Sequence, residues 1–128
     1  MKRLLAAIAL TGALMAAVAP AGAHHSFAMF DFTKEVTLTG TIAKFDWTNP
    51  HTFVWIDVVN SEGKTETWAA EGQSPNFLGR RGWSKDTVKP GDKVTLVLNP
   101  LRDGRSGGMF RNMTLPDGKV IDQRGTPQ

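Results

Sequence analysis

The stretch VTLTGTIAKFDW, residues 36–47, decides the fold class. Apolar or small residues occupy every second position from Val36 to Ile42 and alternate with threonines. This period of two predicts a β-strand with one buried face. The next apolar residues, Phe45 and Trp47, are one position out of phase with that pattern. Such a slip predicts a β-bulge or a sharp bend, and bends of this kind let a sheet curl into a barrel.

Shorter strand-like segments follow on the C-terminal side, each bounded by turn residues. They cover residues 52–59, 65–70, 93–98, 109–115 and 119–121. Between the third and fourth strands, Ser74 and Pro75 predict the N-cap and the first residue of a short helix. This order predicts an all-β fold, a small OB-like barrel of five to six strands with one short helix. Strand count alone leaves a small β-sandwich as the alternative.

The N-terminal segment has the pattern of a secretory signal peptide. Lys2 and Arg3 precede an apolar run, and the small-residue stretch APAGA follows at residues 19–23. A transmembrane anchor is the alternative, but the run is shorter than the roughly 20 residues that span a bilayer. We expect a cleaved signal peptide at residues 1–23, one domain at 24–121 and a flexible tail at 122–128. Cleavage after Ala21 and cleavage after Ala23 both fit, and the mature protein is expected to be periplasmic or secreted, without a stable membrane anchor.

The amino-acid composition argues against several classes of function and of binding site. The formal charge of the whole chain is +3, and loss of Lys2 and Arg3 leaves a nearly neutral domain, which argues against nucleic-acid binding. Cysteine is absent, which excludes disulfides, thiolate metal sites and cysteine nucleophiles. The chain has no phosphate-binding glycine loop and no His-Glu-x-x-His pattern. We therefore expect a protein that binds a small ligand or a metal ion rather than an enzyme, and we assign no catalytic residue; the oligomeric state is left open.

The three histidines are the candidate metal ligands. His24 and His25 directly follow the cleavage region, and His51 follows an Asn-Pro strand break. Cleavage after residue 23 would let the amine and imidazole of His24 chelate one ion, with His25 or His51 completing the set. Cleavage after residue 21 would make His24 the third residue, and an amine, two deprotonated amides and its imidazole would form the square-planar nitrogen set that Cu(II) prefers. Copper is therefore the expected cofactor. In the alternative interpretation the N-terminal histidines have no role and His51 hydrogen-bonds the backbone of its turn.

Methionine and tryptophan offer further contact groups. Met29, Met109 and Met113 carry thioethers, which suit Cu(I) and otherwise fill gaps in a core. Met109 and Met113 are four residues apart, which predicts that they share one face of a strand. The tryptophans either build the core or form a stacking platform for a ligand on the barrel face. The candidate residues of such a metal-free interaction module are Trp47, Asn49, Trp55, Trp68 and Glu71.

Several motifs occur together along residues 24–121. They are HHSF at residues 24–27, GTI at 40–42 leading to FDWTNPH at 45–51, WAAE at 68–71, and Gly-Trp at 82–83 ahead of Pro-Gly-Asp at 90–92. In combination they resemble a family of small secreted bacterial proteins classed as a domain of unknown function. The resemblance implies a periplasmic β-barrel-like domain with no established activity. On that pattern the positions of interest are His24, His25, Asn49, His51, Trp68 and Glu71.

Overall fold

The computed structural model describes residues 27–123. After a short 3-10 turn at Phe27–Met29, the elements are β1 Val36–Asp46, β2 Phe53–Val59, β3 Thr65–Glu71, α1 Pro75–Gly79, β4 Lys93–Pro100, β5 Gly107–Thr114 and β6 Val120–Asp122. Each strand-like segment of the sequence therefore forms a strand. In this part of the chain no helix has the length and apolar character that crossing a bilayer requires.

The strands form one sheet that closes on itself. β1 pairs with both β2 and β4, β2 pairs with β3, and β4 pairs with β5. A parallel pair between β3 and β5 closes the ring, and β6 is added to β5 as an extra strand. With the helix between β3 and β4, this is the arrangement of a five-stranded OB-like barrel. The predicted barrel is confirmed, and the sandwich alternative is excluded because the sheet is closed.

A β-bulge in β1 bends the sheet where the sequence pattern slips. Ile42 pairs with Ile56 and Lys44 pairs with Trp55, so two steps along β1 match one step along β2. Ala43 is therefore the extra residue, and the bulge predicted from the phase of the apolar positions is confirmed. The bulge is what lets side chains on both sides of it reach the same core.

A second bulge lies in β5. Arg111 is its extra residue, because Phe110 and Asn112 pair with consecutive residues of β4. Phe110 and Met113 consequently both point into the core, whereas Met109 is buried outside that cluster. The prediction that Met109 and Met113 share a face is wrong for this reason, since a regular period of two does not continue through a bulge.

The helix and the loop after it close one end of the barrel. The hydroxyl of Ser74 accepts a hydrogen bond from the Phe77 N–H at 3.3 Å, and Pro75 is the first helical residue, as predicted. The Trp83 ring contacts Phe110 edge-on, with 5.5 Å between ring centroids. Both rings belong to the hydrophobic core, which consists of Leu38, Ile42, Val54, Ile56, Ala70, Leu78, Trp83, Val88, Val94, Leu96, Leu98, Phe110, Met113 and Ile121.

The C-terminal end of the described chain is held in the barrel. The Trp83 indole N–H donates to the Asp122 carbonyl at 3.1 Å. The Gln123 amide accepts from the Gln73 N–H and donates to the Phe110 carbonyl, both at 2.7 Å. Residues 122 and 123, which the sequence assigns to the tail, thus belong to the packed domain. The rest of that tail and the predicted signal peptide lie outside the described residues.

Candidate functional site

A row of side chains crosses the outside of the barrel where β3 and β5 meet. Phe53 of β2 pairs with Glu71 of β3, Glu71 pairs with Met109 of β5, and Met109 pairs with Asn99 of β4. Side chains at directly paired positions share a face of the sheet and lie about 5 Å apart. Ala70, the neighbour of Glu71, points into the core, so this row faces outward.

His51 is joined to the row through Glu71. It follows the Asn49–Pro50 bond, which is a cis peptide, and its Nδ1 hydrogen-bonds Oε1 of Glu71. A carboxylate oxygen can only accept, so the imidazole donates from Nδ1. The Glu71 side chain is 8% exposed, whereas that of His51 is 31% exposed. A buried carboxylate therefore fixes the orientation of an imidazole that solvent still reaches.

A groove with a volume of about 280 Å³ lies beside Glu71. Its walls come from β2, β3, the β4–β5 loop, the start of β5 and the N-terminal segment, which are far apart in sequence. Most of its lining is apolar, and a carboxylate and a guanidinium interrupt it. The side chains that matter most here are those of Met29, Phe30, Phe53, Glu71, Leu101 and Arg105.

Backbone hydrogen bonds hold the N-terminal segment against this groove. The Met29 carbonyl accepts from the Arg102 N–H at 2.9 Å, and the Asp31 N–H donates to the Pro100 carbonyl at 2.8 Å. Both partners belong to the end of β4 and the loop that follows it. The chain therefore enters the described domain next to the wall that carries Glu71.

Trp55, two residues after Phe53 on the same face of β2, is held by a carboxylate. Its indole N–H donates to Asp46 Oδ2 at 2.9 Å, and the Lys44 ammonium lies 2.7 Å from Asp46 Oδ1. The hydrogen bond from Lys44, helped by that from Trp55, holds the pKa of Asp46 below its ordinary value, although partial burial opposes the shift. The centroids of the Phe53 and Trp55 rings lie 6.3 Å apart. The two rings form a small aromatic surface that extends from the row along β2.

The other aromatic candidates are not part of this surface. Trp83 belongs to the core, and Trp47 and Trp68 are partly buried and pack against that core. Asn49 is exposed in the β1–β2 loop. Of the residues predicted to contact a ligand, Trp55 and Glu71 therefore lie on the outer face of β2 and β3.

His24 and His25 lie outside the described residues. The structure brings together His51, a predicted metal ligand, and Glu71, a predicted ligand-contact residue. Within residues 27–123, no three side chains of His, Cys, Asp or Glu are grouped as a metal site. The groove residues Phe30, Leu101 and Arg105 were not predicted. No local pattern reveals them, because they meet Glu71 only once the barrel has closed.

The Arg105 guanidinium at the rim of the groove is already paired. It lies 2.8 Å from Asp103, and both side chains are exposed. Hydrogen bonds from the Arg105 backbone N–H and from its side chain lower the pKa of Asp103. At the rim, the charge of Arg105 is thus offset by that of Asp103.

Comparisons with known proteins identify a family and no activity. A family model described as a family of unknown function matches residues 12–111. No curated protein and no solved structure matches the chain. The matched range includes all three histidines, Glu71 and Met109.

Proposed function

Since the chain belongs to a family of unknown function, DUF6152, we propose its function from its own residues: it is an exported, periplasmic copper-binding protein. The proposed ligands are His51 and the processed N-terminus with His24 and His25. The observation that carries the proposal is the hydrogen bond that fixes His51 on the buried carboxylate of Glu71.

This hydrogen bond is the arrangement that metal-binding histidines use. Such a histidine usually donates its second ring N–H to a carboxylate or carbonyl, which sets the tautomer and makes the other nitrogen a better ligand. In His51 the donating nitrogen is Nδ1. The proposal therefore assigns copper coordination to Nε2. Burial of Glu71 strengthens the effect, since a carboxylate out of water interacts more strongly with its partner.

The N-terminal segment supplies the other nitrogens. Met29 and Glu71 line the same groove, and His24 precedes Met29 by five residues. Phe27, which opens the 3-10 turn, follows His24 by three residues, and three extended residues span at most about 11 Å. The proposal requires the chain ahead of this turn to bring the amine and imidazole of His24 to His51. Two imidazoles and an amine suit Cu(II), which favours nitrogen ligands in a tetragonal arrangement.

The position of signal-peptide cleavage decides whether the copper site needs His51 as a ligand. Cleavage after Ala23 leaves His24 first, with two nitrogens of its own, so His51 adds a third. Cleavage after Ala21 leaves a Gly-Ala-His start whose four nitrogens already complete a square-planar site. We propose the first form, because it gives the His51–Glu71 pair a role.

The test is a Cu(II) titration by calorimetry on protein exported and processed in a bacterial periplasm. Mass spectrometry first establishes the N-terminal residue. We expect one Cu(II) per chain, with binding weakened at least tenfold in His51→Ala and in His24→Ala. Asn49→Ala is the matched control, because Asn49 is exposed in the same loop and is not a proposed ligand.

Three results would contradict the proposal in different ways. Absence of Cu(II) binding would remove the copper function. Binding that His24→Ala abolishes and His51→Ala leaves unchanged would restrict the site to the N-terminal peptide. An equal loss in His51→Ala and Asn49→Ala would point to a disturbed loop rather than a lost ligand.

The groove supports a second candidate function, that of a metal-free interaction module. The outer face of β2 and β3 is the surface with which OB-like barrels bind oligosaccharides and oligonucleotides, and here it carries the Phe53–Trp55 surface. Because the charge of Arg105 at the rim is offset by that of Asp103, a neutral sugar is favoured over a nucleic acid. Titration with maltohexaose, followed by tryptophan fluorescence, tests this function. A response that disappears in Trp55→Phe and persists in Trp47→Phe would support it, and no response to the sugar would count against it.

A further inference from the structure

The groove beside Glu71 lies over a strip of small residues where β3 and β5 meet. Ala69 lies two residues before Glu71 on β3, so both point to the outer face of the sheet. The partner of Ala69 across the parallel contact is Gly107, and both line the groove. Trp55 of β2 pairs with Ala69 on one side. On the other side, a Cβ atom at Gly107 would come within 3.3 Å of the Leu101 side chain. The groove therefore exists because two neighbouring positions have almost no side-chain volume.

The walls of the groove suit the apolar part of a small ligand. Met29 and Phe30 line it from the N-terminal segment, and Phe53 lines it from β2. Apolar walls favour an apolar occupant, because both then leave water. The volume of about 280 Å³ is just below the roughly 300–1,000 Å³ that is typical of small-molecule sites. A ligand with a single ring or a short alkyl chain is therefore the size that fits.

Glu71 gives this apolar groove a negative charge. Its side chain is more than nine-tenths buried, and it lines the groove. His51 donates to Oε1, and no other side chain or amide within residues 27–123 donates to this carboxylate. In that part of the chain, the fully buried side-chain oxygen without a partner is Oδ1 of Asn99, not an oxygen of Glu71. Oε2 of Glu71 is therefore open to a further donor.

We propose that the groove binds a small organic ammonium ion, that is, a primary amine with an apolar body. The ammonium donates to Oε2 of Glu71, and the body lies over Ala69 and Gly107. Charge complementarity carries the inference, because a buried carboxylate is costly unless it is paired and charge-assisted hydrogen bonds are the strong ones. This inference does not depend on the copper proposal, since His51 uses the other oxygen of Glu71.

An anion is the weaker fit for the same groove. The Arg105 guanidinium is the cationic group of its lining, but it is exposed and lies 2.8 Å from Asp103. An anionic ligand would have to compete with this ion pair and would also approach the Glu71 carboxylate. The charges around the groove therefore favour a cation.

The experiment uses the processed full-length mature protein, kept free of metal with EDTA at pH 7. Phenethylamine, phenethyl alcohol and hydrocinnamate are the probes, because they share an apolar body and differ in charge. Titrations followed by amide-resolved NMR give both the affinity and the position of each probe. Glu71→Gln removes the charge, and Ala69→Leu fills the groove without changing the carboxylate. The matched controls are Glu62→Gln and Ala43→Leu at exposed sites, and circular dichroism verifies the fold of each variant.

The parent should bind phenethylamine at least about tenfold more tightly than either other probe, the usual effect of a hydrogen bond to a charged group. The largest shifts should be at the amides of Ala69, Glu71 and Gly107. Glu71→Gln should weaken amine binding by about the same factor and leave binding of the alcohol within threefold. Ala69→Leu should weaken both, and the two controls should weaken neither.

Two results would overturn the inference. One is equal affinity for the three probes, or tighter binding of hydrocinnamate, in the parent. The other is unchanged amine binding in Ala69→Leu, which would place the ligand outside the groove. The parent and Ala69→Leu decide the matter even if Glu71→Gln does not fold. A Cu(II) titration of the same proteins keeps the two proposals apart, because Ala69→Leu should retain Cu(II) affinity within threefold while it loses the amine.

Discussion

At the scale of single residues, Glu71 is the unusual side chain of the molecule. It is a carboxylate in a largely apolar wall, and burial of a charge is costly unless the charge is hydrogen-bonded. The imidazole of His51 satisfies part of this requirement. A glutamate that only ended β3 could remain exposed. The burial of Glu71 is explained instead by its role in positioning His51.

Glu71→Gln should therefore weaken copper binding more than it changes the fold. Removal of a group that orients a metal ligand typically costs about 10- to 100-fold in affinity, and we expect a loss of that size for Cu(II). Calorimetry measures it. Glu62→Gln is the control, because Glu62 is exposed and pairs only with Lys64 among the ion pairs of the described chain. Equal affinity in Glu71→Gln and the parent would refute the positioning role.

Asp46 gives a pH dependence whose sign can be worked out. Its pKa is lowered in the folded protein, chiefly by the hydrogen bond from Lys44, so its stabilising effect is present above the ordinary aspartate pKa. That effect is lost as the pH falls through the lowered value. We expect Asp46→Asn to reduce the free energy of unfolding by about 1 kcal/mol at pH 6, with little difference once both forms are uncharged in strong acid. Urea unfolding at several pH values measures this; a difference independent of pH would contradict it.

At the scale of secondary-structure elements, the two bulges show what a sequence pattern can and cannot reveal. The bulge in β1 is visible because apolar residues alternate with threonines before it and with charged residues after it. The bulge at Arg111 is hidden, since its flanking segment contains glycines and methionines that fit either face. Strand positions and the N-cap at Ser74 were predictable for the same local reasons. The groove was not, because Phe30 and Arg105 approach Glu71 through tertiary closure.

The tight approach of β4 to β5 depends on the absence of a side chain at Gly108. A Cβ atom at this position would collide with the Asn99 carbonyl and with the Leu98 side chain. Gly108→Ala should therefore destabilise the protein by about 1–3 kcal/mol, the usual cost of overpacking. Gly79→Ala is the control, because nothing lies within 4 Å of the added atom, and we expect a change within about 0.5 kcal/mol. Chemical denaturation compares the two, and equal stability of both variants would contradict the close-approach argument.

At the scale of the whole molecule, a single core supports every element. Leu96 of β4 is fully buried within it, and no disulfide assists because the chain has no cysteine. Leu96→Ala should cost about 2–5 kcal/mol, a large part of the 5–15 kcal/mol that typically stabilises a small domain. Thermal unfolding should remain a single transition at a lower midpoint, whereas Val59→Ala at an exposed site should leave it nearly unchanged. Two separate transitions would contradict a single core.

The closure of the barrel by β3 and β5 has a consequence for how the domain fluctuates. Only the pairs Ala69–Gly107, Ala70–Gly108 and Glu71–Met109 join these strands, so the ring is continuous through a very short ladder. Transient separation of that ladder would expose its amides to hydrogen exchange without unfolding the rest of the sheet. A ligand held on both strands would bind the closed state preferentially and would slow that exchange. Exchange at these few amides would thus report the opening of the ring separately from global unfolding.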